Sequence, residues 1–190
     1  MRSVIPAALA AAAFLTSTLC LAAPYVFDKR HTEVRFAYSM GLSTGRGRFT
    51  RVDGRVDYNE AAPEKTKVVA VVETASLTTG EPVVDSALKG SEFFDVTSQP
   101  QLRFASRALH MRGPGKAEMT GDITINGITK PVVLQVALQP HTRPELKYSR
   151  TVYAFTAATR VRRSDFGMTA YSSTVGDDVR IEIDALLNKP

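Results

Sequence analysis

Asn126-Gly127, standing between the apolar-rich runs 119–125 and 128–138, sets a strand register from sequence alone. Both central positions of a two-residue type I′ turn need φ > 0, which Gly accepts freely and Asn better than most residues, so the pair predicts a β-hairpin. Pairing across the turn sets Ile125 opposite Ile128. Carried outward, one face collects Met119, Gly121, Ile123 and Ile125 with Ile128, Lys130, Val132, Leu134, Val136 and Leu138. The other collects Glu118, Thr120, Asp122, Thr124, Thr129, Gln135 and Gln139. Because side chains alternate with a period of two, a slip of one residue would turn the whole set inside out, so the register is strongly specified. Lys130, the single charge on the apolar face, is expected at a rim beside Pro131.

Similar alternation runs through most of the chain. Val34, Phe36, Tyr38 and Met40 share one face against Glu33, Arg35, Ala37 and Ser39, as in a half-buried strand. Val52, Gly54, Val56 and Tyr58 alternate with Arg51, Asp53, Arg55 and Asp57, but Phe49 is out of phase with them. That slip predicts a bulge or bend near Thr50-Arg51. The run 67–77 is apolar on both faces, so periodicity cannot choose its inside. Leu102 and Phe104 begin a strand over 101–111. Tyr153, Phe155, Ala157 and Val161 share one side of the run 149–161, and Val179, Ile181, Ile183 and Ala185 close the chain against Arg180, Glu182 and Asp184.

One segment breaks the pattern. Over 81–100, Pro82 suits a first helical turn and Gly90 a helix end, which predicts a short helix followed by an irregular loop. The adjacent Phe93 and Phe94 in that loop must be buried, most simply as a lid or plug. About eight antiparallel strands with one apolar face each close into a barrel or pack as a sandwich. Gly41, Gly45, Gly47 and the inferred bend favour the curvature of a barrel. An eight-stranded barrel has an interior just wide enough to be filled by side chains or to hold one small ligand.

The first residues carry Arg2 and an alanine-rich apolar run, ending at Leu19-Cys20-Leu21-Ala22-Ala23 before Pro24. This reads as a secretory signal peptide over 1–22, with small residues at Cys20 and Ala22 suiting cleavage after Ala22 and leaving one domain over 23–190. The run falls short of the ~20 residues a spanning helix needs. Leu19 is a poor neighbour for a lipidated Cys20. That cysteine is the only one, so the processed chain has no disulfide and its stability must come from its core. Removing Arg2 leaves 23 basic residues against 19 acidic ones, a charge of +4. So mild a balance permits transient contact with an anionic membrane surface but gives no sign of nucleic acid. Arg160, Arg162 and Arg163, like Arg46, Arg48, Arg51 and Arg55, read as solvated outer faces.

Catalytic patterns are thin. His31, His110 and His141 are scattered, and without cysteine a zinc site would need an unusual donor set. No nucleophile elbow, phosphate loop or dinucleotide fingerprint occurs, and Gly45-Arg-Gly47 and Gly113-Pro-Gly115 read as turns. Glu92 with Asp95, and Asp177 with Asp178, are explained by capping and turn formation. Neither catalysis nor a metal or cofactor is expected.

Tyr25-Val-Phe-Asp28 with His31, Gly45-Arg-Gly-Arg-Phe49, Gly54, Asp85 with Leu88-Lys89, Glu92-Phe-Phe-Asp95, Pro100, Phe104, the hairpin Gly121 to Gly127 with Thr129-Lys-Pro131, and Asp165-Phe-Gly167 follow one another in an order that resembles the YceI-like family. The resemblance implies a periplasmic, lipocalin-like antiparallel β-barrel, with a short helix and loop over one mouth, that holds a polyisoprenoid such as a quinone tail. On that resemblance Phe36, Tyr38, Phe104, Ile123, Ile125, Tyr153, Phe155 and Ile181 are expected to line the lumen, with Phe93, Phe94 and Phe166 near its entrance. Read without it, each is a core residue. Tyr38 and Tyr153 add hydroxyls that could orient a ligand head. Val84, Ala87 and Gln99 depart from the family pattern, which has Arg, His and an aromatic there. The implied partner is an isoprenoid or other long-chain lipid, with room for a second copy of the chain. Two other readings stay open: an envelope stress or interaction protein whose barrel is filled by its own side chains, and an enzyme acting on a small amide or lipid through His31 and Asp28.

Overall fold

The computed structural model describes residues 23–59, 61–139 and 151–189; the expected leader and His141 lie outside them. Its strands are β1 (Ala23–Phe27), β2 (Glu33–Met40), β3 (Ser43–Phe49), β4 (Val52–Tyr58), β5 (Lys67–Glu73), β6 (Leu77–Thr78), β7 (Gln101–Gly113), β8 (Lys116–Ile125), β9 (Ile128–Gln139), β10 (Thr151–Arg162) and β11 (Val175–Asn188). Helix α1 (Pro82–Lys89) lies between β6 and β7. Strands β1, β4, β5, β7, β8, β9, β10 and β11 pair in that order, and β1 also pairs with β11, so the sheet closes into an antiparallel ring of eight. β2 continues β1 along β11, while β3 pairs with β2 and β6 with β3. Three staves of the barrel, β1/β2, β3/β4 and β5/β6, are therefore each broken once.

The slip of phase at Phe49 marks one of these breaks. Thr50 Oγ1 donates to the Ser76 carbonyl (3.4 Å), the Arg51 N–H to Ser76 Oγ (3.1 Å) and the Glu73 N–H to the Arg51 carbonyl (3.0 Å), so two neighbouring breaks interlock. The bend leaves Phe49, 2% exposed, and Val52 both buried in the core. A second change of phase falls in β7. Arg107 is a bulge between Ser106, opposite Gly121, and Ala108, opposite Thr120, so the inward set passes from Leu102 and Phe104 to Leu109 and Met111. In β5 the inside is Val68, Ala70 and Val72, with Val69 exposed.

The hairpin has the expected register. Ile125 stands opposite Ile128, pairing continues to Lys116 opposite Ala137, and Asn126 and Gly127 have φ of 50° and 74°. Lys130 is exposed. The Asn126 side-chain amide donates to the Phe166 carbonyl (3.2 Å), which ties the hairpin tip to the 3-10 turn Arg163–Phe166. Gly45 and Gly47 seat aromatic rings, because a Cβ there would meet the Tyr38 ring at 2.3 Å and the Phe36 ring at 2.4 Å.

The helix and loop also match expectation. Pro82 opens α1, the Gly90 N–H donates to the Ala87 carbonyl (3.1 Å), and Leu88 is the residue α1 buries. Asp85 accepts the Thr79 hydroxyl (2.7 Å) and N–H (2.6 Å), which hold its carboxyl below the usual carboxylate range.

Ion pairs lace the outer wall. Arg35 pairs with Asp184, Arg48 with Glu33 (3.6 Å), Arg51 with Glu73 (2.7 Å), Arg55 with Asp57 (3.1 Å) and Arg180 with Glu182 (2.6 Å). Exposed pairs of this kind contribute ~0–1 kcal/mol each, so they keep the wall wet more than they hold it together. Arg163 departs from the expected solvated face. β10 ends at Arg162, the 3-10 turn changes the phase, and the Arg163 side chain turns inward to 6% exposure. Its guanidinium donates to the carbonyls of Gly176 (3.1 Å), Met168 (2.6 Å), Ala170 (2.8 Å) and Val175 (2.9 Å). Arg163→Met keeps the length and strips all four carbonyls of their donor. At ~1.5–3 kcal/mol for a hydrogen bond to a charged group, a loss above ~3 kcal/mol is expected in urea unfolding, and an unchanged midpoint would show that the loop does not depend on this side chain.

Several carboxylates carry stability that acid removes. Asp177 accepts the Ser164 N–H (2.9 Å) and hydroxyl (2.8 Å), and Asp53 accepts Lys29 (2.5 Å) and the Gly54 N–H (2.8 Å), so both titrate below their ordinary value. At Asp28 burial pushes the carboxyl up, but hydrogen bonds from the Arg30 N–H, His31 and Asn188 outweigh it and the net shift is downward. Their contribution is complete above the unfolded carboxylate value of ~3.9 and is lost as pH falls through the lower folded values. The urea midpoint should therefore fall steeply below about pH 4, and Asp177→Asn should flatten part of that limb.

Candidate functional site: the barrel lumen

The inward faces enclose a cavity of about 400 Å³, inside the ~300–1,000 Å³ typical of small-molecule sites. Its wall is built by alternation. β8 contributes Ala117, Met119, Ile123 and Ile125, β9 contributes Leu134, Val136 and Leu138, and β11 contributes Val179, Ile181, Ile183 and Ala185. The charged lining residues are Arg103, Lys116 and Arg163, and no carboxylate joins them among the described residues.

The two ends differ. At the helix end Phe94 reaches into the barrel and meets Phe49 edge-on (5.2 Å between centroids, 86°) and Phe36 (6.0 Å), while Phe36 and Phe49 meet at 5.6 Å. Buried Phe166, Met168 and Arg163 complete that floor. At the opposite end the lining passes through Tyr58, Pro63, Thr66, Lys116 and Leu138 to Met111, which is 46% exposed. Met111 is therefore where the lining meets solvent, at the end away from α1.

Of the residues expected at the lumen, Phe36, Phe94, Phe104, Ile123, Ile125, Phe155, Phe166 and Ile181 line it. Tyr38, Phe93 and Tyr153 do not. Tyr38 spreads over Gly45 and stacks on Phe36, and its partial burial pushes the phenol pKa up. Phe93 is buried and lies parallel to Tyr171 (6.2 Å, 2°). Tyr153 packs edge-on against Tyr25 (5.3 Å) and Tyr58 (5.0 Å). Phe94 and Phe166, expected at the entrance, close the far end instead. Alternation had already grouped Met119, Leu134, Val136 and Leu138 on an apolar face, whereas Thr66 and Arg163 carried no periodic signal.

The family departures sit away from the lumen: Val84 and Ala87 face solvent, and Gln99 packs beside Gly127. His31 pairs with Asp28 (3.1 Å) in the turn between β1 and β2, with its side chain 59% exposed. Neither residue lines the cavity. The open lumen likewise departs from a self-filled barrel. An outer depression of about 360 Å³ beside Arg35, Arg46, Arg48 and Arg180 includes Glu182 and is crossed by the ion pairs described above.

A closed eight-stranded barrel around an apolar lumen, plugged at one end by a helix and an aromatic loop, defines the class of single-ligand β-barrels. The chain belongs to the YceI-like family, whose domain model matches residues 25–187. A UPF0312 protein of Pseudomonas savastanoi pv. phaseolicola is 32% identical over 176 residues, covering 90% of this chain and 91% of that relative. The crystal structure of BcnA from Burkholderia cenocepacia superposes with a TM-score of 0.76 at 22% identity, covering 84% of this chain and 98% of that one. A polyisoprenoid binding domain from Saccharophagus degradans, implicated in plant cell wall breakdown, gives 0.65 at 14% identity, covering 90% and 99%. These two likenesses are likenesses of fold.

Proposed function

We propose that the chain is a periplasmic, non-catalytic carrier that holds a polyisoprenoid, or a related long-chain lipid such as a quinone tail, in the barrel lumen. The observation that carries this reading is the continuous apolar cavity of about 400 Å³ inside a YceI-like barrel. Each buried CH₂ contributes ~0.8 kcal/mol, so a few isoprene units offset the ~4–15 kcal/mol lost on immobilising a ligand. The apolar leader supports the periplasmic compartment, and the polyisoprenoid-binding relative supports the ligand class. A prenyl tail is insoluble in water, so loading and delivery take place at membrane surfaces.

The test is thermal unfolding of lipid-stripped protein with a short-tailed ubiquinone. Ligand at 100 times its Kd adds ~2.7 kcal/mol, which raises Tm by roughly 5–10 °C for a domain of this size. No shift at any concentration, together with no binding by titration calorimetry, would overturn the proposal.

A further inference from the structure

The volume of the lumen and the rigidity of its plug together limit the tail it accepts. An apolar cavity of ~150 Å³ takes one benzene, roughly 25 Å³ per carbon. On that scale 400 Å³ holds about 15 carbons, or three isoprene units.

The plugged end is closed by side chains on a fixed backbone. Phe94 lines the lumen and packs on Phe36 and Phe49 from the loop that follows α1. Its N–H donates to the Leu88 carbonyl (3.1 Å), the Asp95 N–H to the Gly90 carbonyl (2.9 Å) and the Val96 N–H to the Lys89 carbonyl (3.1 Å). These three bonds tie the loop back onto the end of α1, so Phe94 is a wall and not a hinged lid. Leu88 and Phe93, both buried, belong to the core that Phe94 packs against. The opposite end has no such wall, because the lining runs out to the half-exposed Met111.

Resting on the lumen-binding reading above, we infer that the lumen selects its ligand by length: it buries a tail of about three isoprene units, a farnesyl-length chain, and Phe94 is the end stop that sets the limit. Carbons beyond the limit stay outside at the Met111 end. A buried CH₂ is worth about four-fold in affinity, so a whole isoprene unit is worth about 100-fold or more inside the lumen and close to nothing outside it. Removing the Phe94 ring makes room for one further unit, since a phenyl ring and an isoprene unit are of similar volume.

Titration calorimetry of lipid-stripped protein with geraniol, farnesol and geranylgeraniol tests this, because the three share a head and lengthen by one isoprene unit at each step. Farnesol should bind about 100-fold more tightly than geraniol, and geranylgeraniol within about three-fold of farnesol. In Phe94→Ala geranylgeraniol should gain about ten-fold or more over farnesol, while farnesol stays within about three-fold of its affinity for the parent. Phe94→Trp carries the test if the alanine variant does not fold: its larger ring should weaken farnesol about ten-fold and leave geraniol unchanged. A gain from farnesol to geranylgeraniol in the parent as large as that from geraniol to farnesol would overturn the length limit and leave the lumen reading standing. A length preference that neither variant moves would overturn Phe94 as the stop. Failure of all three alcohols to bind the parent would overturn the lumen reading and the limit with it.

Discussion

Ala157→Trp is expected to abolish lumen binding while leaving the barrel folded. Ala157 lines the cavity from β10, beside Val136 of β9 and Ile183 of β11, at mid-height in the wall. An indole there fills the space a tail must cross, and the apolar neighbours accept it without stranding a polar group. Affinity for a prenyl ligand should fall about 100-fold or more, equivalent to ~3 kcal/mol. Filling a cavity commonly adds ~0.5–2 kcal/mol of stability, so the Tm of the empty variant should hold or rise. Ala157→Val, which adds two methyl groups, should bind within a few-fold of the parent. Near-parental binding by Ala157→Trp would show that the ligand sits somewhere other than the lumen.

Gly54→Ala should be the most damaging single methyl group in the chain. Gly54 has φ of +147°, and a Cβ there would lie 2.1 Å from the Val69 carbonyl oxygen and 2.9 Å from the Phe27 ring. The oxygen belongs to the paired backbone of β5, so it cannot yield as the tip of a flexible side chain would. Backbone strain of ~1–3 kcal/mol adds to overpacking of similar size, for a loss of about 3–5 kcal/mol. For a domain of this length that lowers Tm by roughly 6–20 °C. A shift under 2 °C would mean that β4 and β5 part easily at this point, against the closed ring.

The parts legible in the sequence are those where local chemistry and period agree. Asn126-Gly127 dictates a turn type, and the alternation on either side then has only one register that keeps Ile123, Ile125, Leu134 and Val136 inside. Phe49 was informative because it broke phase, and the break lies within the stave that β3 and β4 share. Alternation gives the side a residue faces but not its height along the barrel. Tyr38 and Phe36 share a face, yet Phe36 lines the lumen while Tyr38 lies over Gly45. The run 67–77 hid its inside because its outer face also carries valines, whose branched side chains suit a pleated strand wherever they point. Arg163 was misread because the strand's period ends one residue before it.

Native mass spectrometry of the protein purified from its native cells tests the central claim most directly. Lumen occupancy predicts a bound species in one-to-one ratio, with masses spaced by isoprene units or acyl carbons, that Ala157→Trp fails to retain. Protein that is empty as isolated, and stays empty after incubation with ubiquinone, would contradict it.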